Sequence, residues 1–179
     1  MSPRRARPAR VDEVALLGNW LEWLALTRRD YLRAVLRLSA KERVKDRGAS
    51  FGSIQDIYLH IVENNIGWVE EFPRDRFGAE PERVGTRVSA AELRELGRRV
   101  ERADRRLAGS LTVRDLDRKH VCSGEANGRR FEFSTTLRTA LWHLLEEELQ
   151  HRGELNALFW QLDINAPTRA FFSSRLAGR

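Results

Sequence analysis

The chain has a single cysteine, Cys122, in 179 residues. That excludes an internal disulfide and a cysteine-based zinc framework, and it makes a reducing, cytoplasmic setting the simplest expectation. No run of about 18 apolar residues occurs, so no transmembrane helix and no membrane partner are expected. The basic start MSPRRARPAR lacks a following apolar segment and does not read as a secretory signal. Lysine is scarce: Lys41, Lys45 and Lys119 stand among 32 basic residues, the rest being arginine. The formal charge is +6, but the arginines are spread along the chain and do not mark one nucleic-acid surface. There is no glycine-rich phosphate loop, no Ser-His-Asp order, no recognised nucleic-acid motif, no internal repeat and no low-complexity segment.

What is present is hydrophobic periodicity. With 41 % apolar and 32 % charged residues, the composition suits one small globular domain with a core. Residues 1–10 hold two prolines and four arginines and read as a flexible basic arm. From Asp12, a plausible N-cap, Val14, Leu17, Leu21, Leu24, Tyr31 and Val35 recur at helical steps and predict a first helix to about Leu38. A polar connection with two glycines, 41–53, follows. Ser53 with Asp56 opens a second helix, whose stripe is Ile54, Ile57, Ile61 and Trp68 and which stops near Phe72. Ser89 with Glu92 forms a capping box for a third helix striped by Leu93, Leu96, Val100, Ala103 and Leu107.

The period then changes. Val121, Phe131 and Phe133 alternate with polar residues around Asn127–Gly128, a type I′ turn signal, which predicts a short hairpin. Thr135 or Thr136 caps a fourth helix to about Leu162, and Asn165 and Pro167 end it. The expectation is an all-α four-helix bundle over 11–166, with a β-hairpin between the third and fourth helices and a tail over 167–179.

The fourth helix carries the chemistry. Positions 137, 141, 144, 148, 151, 155, 158 and 162 form a seam with alternating steps of four and three, and six of them are leucine. Glu148 and His151 are the other two, so polar side chains occupy the middle turns of a buried stripe. His143, Glu147 and His151 are spaced by four, so neighbours in that row lie one turn apart on one face. A pair one turn apart can grip a metal ion, and bundle cores use Glu and His from facing helices in this way. His60, in the middle of the second helix, is the natural third ligand. The residues alone also allow a hydrogen-bonded core histidine at 60 and a solvated acidic face at 146–148; His120 reads as structural or exposed.

The segments SIQDIYLHIVENNIGWVEEF and HLLEEELQHRGELNALFWQLDINAP, in this order around a linker, helix and hairpin, resemble the DinB/YfiT-like family of four-helix-bundle metalloenzymes. The likeness spans about 12–167 and is strongest in QHRGELNALFWQLDINAP. It implies a metal site with His60 as the ligand of the second helix and His151 as the second ligand of the fourth. The first ligand of the fourth helix falls on Glu147, where the family usually has histidine, and Glu148 is the fallback. Two histidines and one carboxylate make a legitimate site for Zn²⁺ and, with open positions, for Fe²⁺ or Mn²⁺.

The resemblance further implies a divalent metal cofactor (Zn, Ni, Fe or Mn) and a low-molecular-weight thiol as cosubstrate. The implied activity is that of a thiol-dependent S-transferase or isomerase, in which Cys122 has no part and no catalytic residue is assigned. The alternative is a non-catalytic, stress-related bundle with a degenerate metal site, acting in protein interaction or self-association. A homodimer is expected, with Phe171 and Phe172 covering the core or docking on a second subunit. Gly153 is expected to allow close approach of another helix, and Arg152 to bind an anion or pair with Glu147 or Glu148.

Overall fold

A computed structural model describes residues 12–78, 83–126 and 129–171. The basic arm, the Asn127–Gly128 turn and Phe172 lie outside the described residues. Helix α1 (Glu13–Arg37) begins where Asp12 accepts a hydrogen bond from the Ala15 amide at 3.1 Å, satisfying one of the amides a helix start leaves open. Its stripe of Leu17, Leu21, Leu24, Tyr31 and Val35 is buried, as the periodicity requires. The connection after it contains a short helix, α2 (Ala40–Arg43), that the polar sequence does not announce.

Helix α3 (Ile54–Ile66), the second predicted helix, is capped by the Ser53 hydroxyl, which accepts from the Asp56 amide at 3.1 Å. It widens into a π-helical turn (Gly67–Glu71) and a 3₁₀ turn (Phe72–Arg74), then stops at Asp75 with φ 56°. Helix α4 (Ala90–Ser110) has the full Ser89–Glu92 capping box, and a second box, Thr112–Asp115, starts the short α5 (Val113–Asp117). Strands β1 (Lys119–Ala126) and β2 (Arg129–Thr136) pair antiparallel, with Cys122 opposite Phe133. Helix α6 (Leu137–Trp160), the fourth predicted helix, is capped by Thr136.

The four long helices α1, α3, α4 and α6 form the bundle, with the hairpin inserted before α6. The alternation that announces the hairpin does not point inward. Val121, Phe131 and Phe133 stay exposed, whereas His120 and Cys122 enter the core. His120 is fixed through Nδ1 to Asp75 Oδ1 at 2.7 Å, and Arg118 donates to Asp75 Oδ2 at 2.6 Å, so one carboxylate ties β1 to the end of α3. In the tail, Phe171 stacks on Trp20 at 4.0 Å and Trp23 Nε1 donates to the Arg169 carbonyl at 2.8 Å. Arg169 and Phe171 therefore lie over the cluster of Trp20 and Trp23. No helix among the described residues is long and apolar enough to cross a membrane.

A polar layer crosses the middle of the bundle. Besides a small cluster of Trp23, Leu24 and Leu145, two apolar clusters make up the core: one holds Tyr31, Ile57, Leu93, Leu155 and Phe159, and the other holds Leu21, Phe72, Ala103, Leu141 and Leu144. Between them Arg28 of α1 meets Asp104 of α4 and donates to Glu148 of α6 at 2.5 Å and to Asn65 of α3 at 2.8 Å. Asn65 also donates to Glu148, at 3.0 Å. All four are at most 2 % exposed, so each helix contributes one buried polar group to one plane.

Burial pushes the Asp104 carboxyl up, the Arg28 charge opposes it, and Glu148 adds to the rise, leaving it at about 7 against an ordinary 3.8. The unfolded chain releases this proton near the ordinary value. Between those two values the folded state holds more of the proton, and the contribution of Asp104 to stability falls as pH rises. Urea unfolding of Asp104→Asn is therefore expected to show a flatter dependence on pH between 4 and 7 than the wild-type chain. Parallel pH profiles for the two would be the contrary result.

Candidate metal centre

Three side chains from two helices converge at the edge of this layer. His60 sits in the middle of α3, and Glu147 and His151 lie one turn apart on α6. The Glu147 Oε2 atom is 3.6 Å from His151 Nε2 and 3.9 Å from His60 Nε2. The two imidazole centres are 4.7 Å apart and nearly perpendicular, at 83°. One donor atom from each of the three lies within 4.8 Å of the others, and this is the one such group among the described residues. Ligand bonds of about 2.0–2.2 Å around one ion put neighbouring donors roughly 3–4 Å apart. The set thus fits a single divalent ion after small side-chain movements.

The support behind His151 strengthens that fit. Its Nδ1 lies 2.9 Å from Glu154 Oε2, and the same carboxylate accepts a hydrogen bond from the Ser50 hydroxyl at 2.7 Å. An ionised carboxylate only accepts, so Nδ1 carries the proton and the Nε2 lone pair faces Glu147. Burial would raise the Glu154 carboxyl, but its hydrogen bonds to His151 and Ser50 hold it below the usual range. Carboxylate, imidazole and open lone pair are the arrangement that metal-binding histidines use to fix orientation and tautomer.

The 47–53 turn closes one side. Phe51 stacks on the His60 ring at 4.1 Å and meets His151 edge-on at 5.3 Å. The turn is held by the Arg47 amide donating to the Gly52 carbonyl at 2.8 Å and by the Gly48 amide donating to Asp46 at 2.9 Å. Gly52 has φ 76°, a conformation that side chains with a Cβ rarely adopt, so glycine is required to bring Phe51 over the histidines.

Not every polar residue of the α6 motif belongs here. Glu148, which breaks the leucine seam, points into the polar layer and is held by Arg28 and Asn65. His143 is exposed, with its ring edge-on to Trp68 at 5.5 Å. Arg152 pairs with neither Glu147 nor Glu148; its guanidinium lies 4.5 Å from the Trp23 ring centre and 5.4 Å from that of Tyr31. Nothing lies within 4 Å of a Cβ built on Gly153, so no helix approaches closely there. Sequence reasoning misses Ser50, Phe51 and Glu154. Glu154 alone leaves a signal, being three residues beyond His151 on the same helix face.

Two clefts lie elsewhere. One of about 510 Å³ runs beside Glu63, Gly67 and Arg99, and one of about 560 Å³ runs between α1 and α4. The three convergent residues instead sit in the groove between α3 and α6 under Phe51. In comparisons with known proteins, the model of the DinB family matches residues 12–167. No curated protein matches the chain.

Proposed function

The chain belongs to the DinB family, and on that footing we propose that it is a divalent-metal-dependent enzyme using a small thiol as cosubstrate, an S-transferase or isomerase. The observation that carries the reading is the convergence of His60, Glu147 and His151, with Glu154 fixing His151 from behind. A bound divalent ion with open positions lowers the pKa of a thiol and presents it as thiolate to an electrophile.

The chain's own residues supply the rest. His60 and His151 offer neutral nitrogen donors, and Glu147 adds one negative charge. With a carboxylate in place of a third histidine, the net positive charge at the centre is lower by one, so a bound thiol stays less acidic than in an all-histidine site. Phe51 shields the histidine rings from water on one side. Cys122 is no source of thiolate: it is buried, and burial raises its thiol further.

The test is thiol consumption with an electrophile such as 1-chloro-2,4-dinitrobenzene, using metal-loaded protein and a panel of cysteine, glutathione and other small thiols. At least one thiol should react faster with wild-type and Cys122→Ser protein than with His151→Ala. In cobalt-substituted protein the same thiol should produce a sulfur-to-metal charge-transfer band. A panel in which no thiol changes the cobalt spectrum or the rate would sink the proposal.

A further inference from the structure

The cleft between α1 and α4 has a composition that the metal centre does not use. On α1 it is lined by Asp12, Ala15, Gly18, Glu22 and Ala25, spaced to lie along one face. On α4 it is lined by Glu101, Asp104, Arg105, Ala108 and Gly109. Its walls carry four carboxylates against one guanidinium. That guanidinium, of Arg105, is mostly exposed and already paired with Glu101, which also meets Arg29 of α1 at 2.5 Å, so the uncompensated charge lies at Glu22 and Asp104. Glu22 is exposed and has no ion-pair partner among the described residues.

Asp104 adds a buried, incompletely paired carboxylate to the lining. The side chain is 1 % exposed; one oxygen meets Arg28, while the other, Oδ1, is buried without a hydrogen-bond partner. The polar layer behind it holds two carboxylates, Asp104 and Glu148, for the single cation Arg28. Two carboxylates for one cation balance only while Asp104 keeps its proton or when a further cation takes that proton's place. Asp104 is part of the cleft's lining, and none of the metal centre's residues is, so a cation lying in the cleft would provide that completion.

The shape selects the kind of cation. The carboxylates do not converge: among the described residues the only group with donors close enough for one metal ion is His60, Glu147 and His151. The acids are instead strung along the cleft, from Asp12 to Glu22 and across to Asp104 and Glu101. At 1.5 Å per residue, the α1 wall alone extends roughly 20 Å. Between them lie small apolar groups. A Cβ built on Gly18 would stand 3.9 Å from the Ala108 Cβ, so the lack of a side chain at 18 keeps the floor open. Spaced negative charges over an apolar floor match spaced ammonium groups on methylene chains. We propose that the α1–α4 cleft is a binding site for a linear aliphatic polyamine, with one ammonium group completing the Asp104 carboxylate and another meeting Glu22.

The test is calorimetric titration of the full chain with spermidine at fixed ionic strength, with and without divalent metal. Wild-type protein should show one saturable site. A charge-assisted hydrogen bond is worth enough that Glu22→Gln and Asp104→Asn should each weaken binding about tenfold or more. Gly18→Leu, which fills the floor, should abolish it. Glu22 is exposed, so Glu22→Gln leaves the core untouched and remains decisive whatever Asp104→Asn does to folding. His151→Ala should bind spermidine as the wild-type chain does, which separates this site from the metal centre. No saturable heat, unchanged affinity in Glu22→Gln, loss of binding in His151→Ala, or equal displacement by Mg²⁺ at matched charge would each overturn the proposal.

Discussion

A His151→Ala protein, purified without a histidine tag, should carry less than about a tenth of the metal found in the wild-type chain. Loss of an outer partner of a ligating histidine typically lowers metal affinity about 10–100-fold, and removal of the ligand itself exceeds that. Glu154→Gln, which leaves His151 in place but weakens the hold on its Nδ1 proton, should fall between the two. His60→Ala should resemble His151→Ala, because it removes the only donor supplied by α3. Thermal unfolding gives a second readout. A ligand at a hundred times its Kd stabilises the folded state by about 2.7 kcal/mol, which for a chain of this size corresponds to a rise of roughly 5–10 °C. Wild-type protein should show that rise with at least one of Zn²⁺, Ni²⁺, Fe²⁺ or Mn²⁺, and His151→Ala should not. Metal retained by His151→Ala, or a wild-type chain indifferent to all four ions, would remove the metal centre from the account.

The second large effect concerns stability. Arg28→Ala is expected to cost about 3–5 kcal/mol, because it strands Asp104 and Glu148 as neighbouring buried carboxylates with no cation between them. The same cost should appear as a fall in melting temperature of roughly 6–20 °C. A triple replacement, Arg28→Met with Asp104→Leu and Glu148→Leu, should recover most of the loss, since an apolar layer of similar volume is often as stable as a buried ion cluster. The contrast separates two roles. If the single variant is destabilised and the triple variant is not, the layer specifies how the helices meet and adds little net stability. An Arg28→Ala protein within about 1 kcal/mol of wild type would mean that water reaches the layer and replaces the missing charge.

How much of this is legible in the sequence follows from which signals are local. Capping and periodicity are local, so Asp12, Ser53, Ser89 and Thr136 mark the starts of the long helices. The buried stripe of α1 likewise follows from its spacing. The short helices α2 and α5 escape because four or five residues carry too little periodicity to stand out from a polar connection. At the hairpin the alternation is visible but its direction is not, because which residues point inward is set by what the strands pack against. Phe131 and Phe133 remain exposed while His120 is drawn in by Asp75, 45 residues away in sequence.

The metal centre divides in the same way. The i, i+4 spacing makes Glu147 and His151 visible together, and His60, mid-helix and one of only four histidines, stands out as a third ligand that the resemblance then repeats. The leucine seam finds Glu148 as an anomaly without saying what it meets, since Arg28 lies 120 residues away and carries no mark among 29 arginines. Ser50 and Phe51 reach the site only through the path of the 47–53 turn, which no spacing rule encodes.

Glu147 and Glu148 are adjacent in the chain yet answer to different masters: one faces the histidines, the other is locked under Arg28. On a helix, neighbours diverge by about 100°, so a single peptide step hands the chemistry to one carboxylate and the architecture to the other. The two positions are structurally independent, since their side chains meet different partners. Position 147 can exchange carboxylate for imidazole, retuning or losing a metal, without disturbing the assembly of the four helices. Position 148 changes only together with Arg28 and Asp104, and an inserted residue that shifted the α6 frame by one would displace both carboxylates at once.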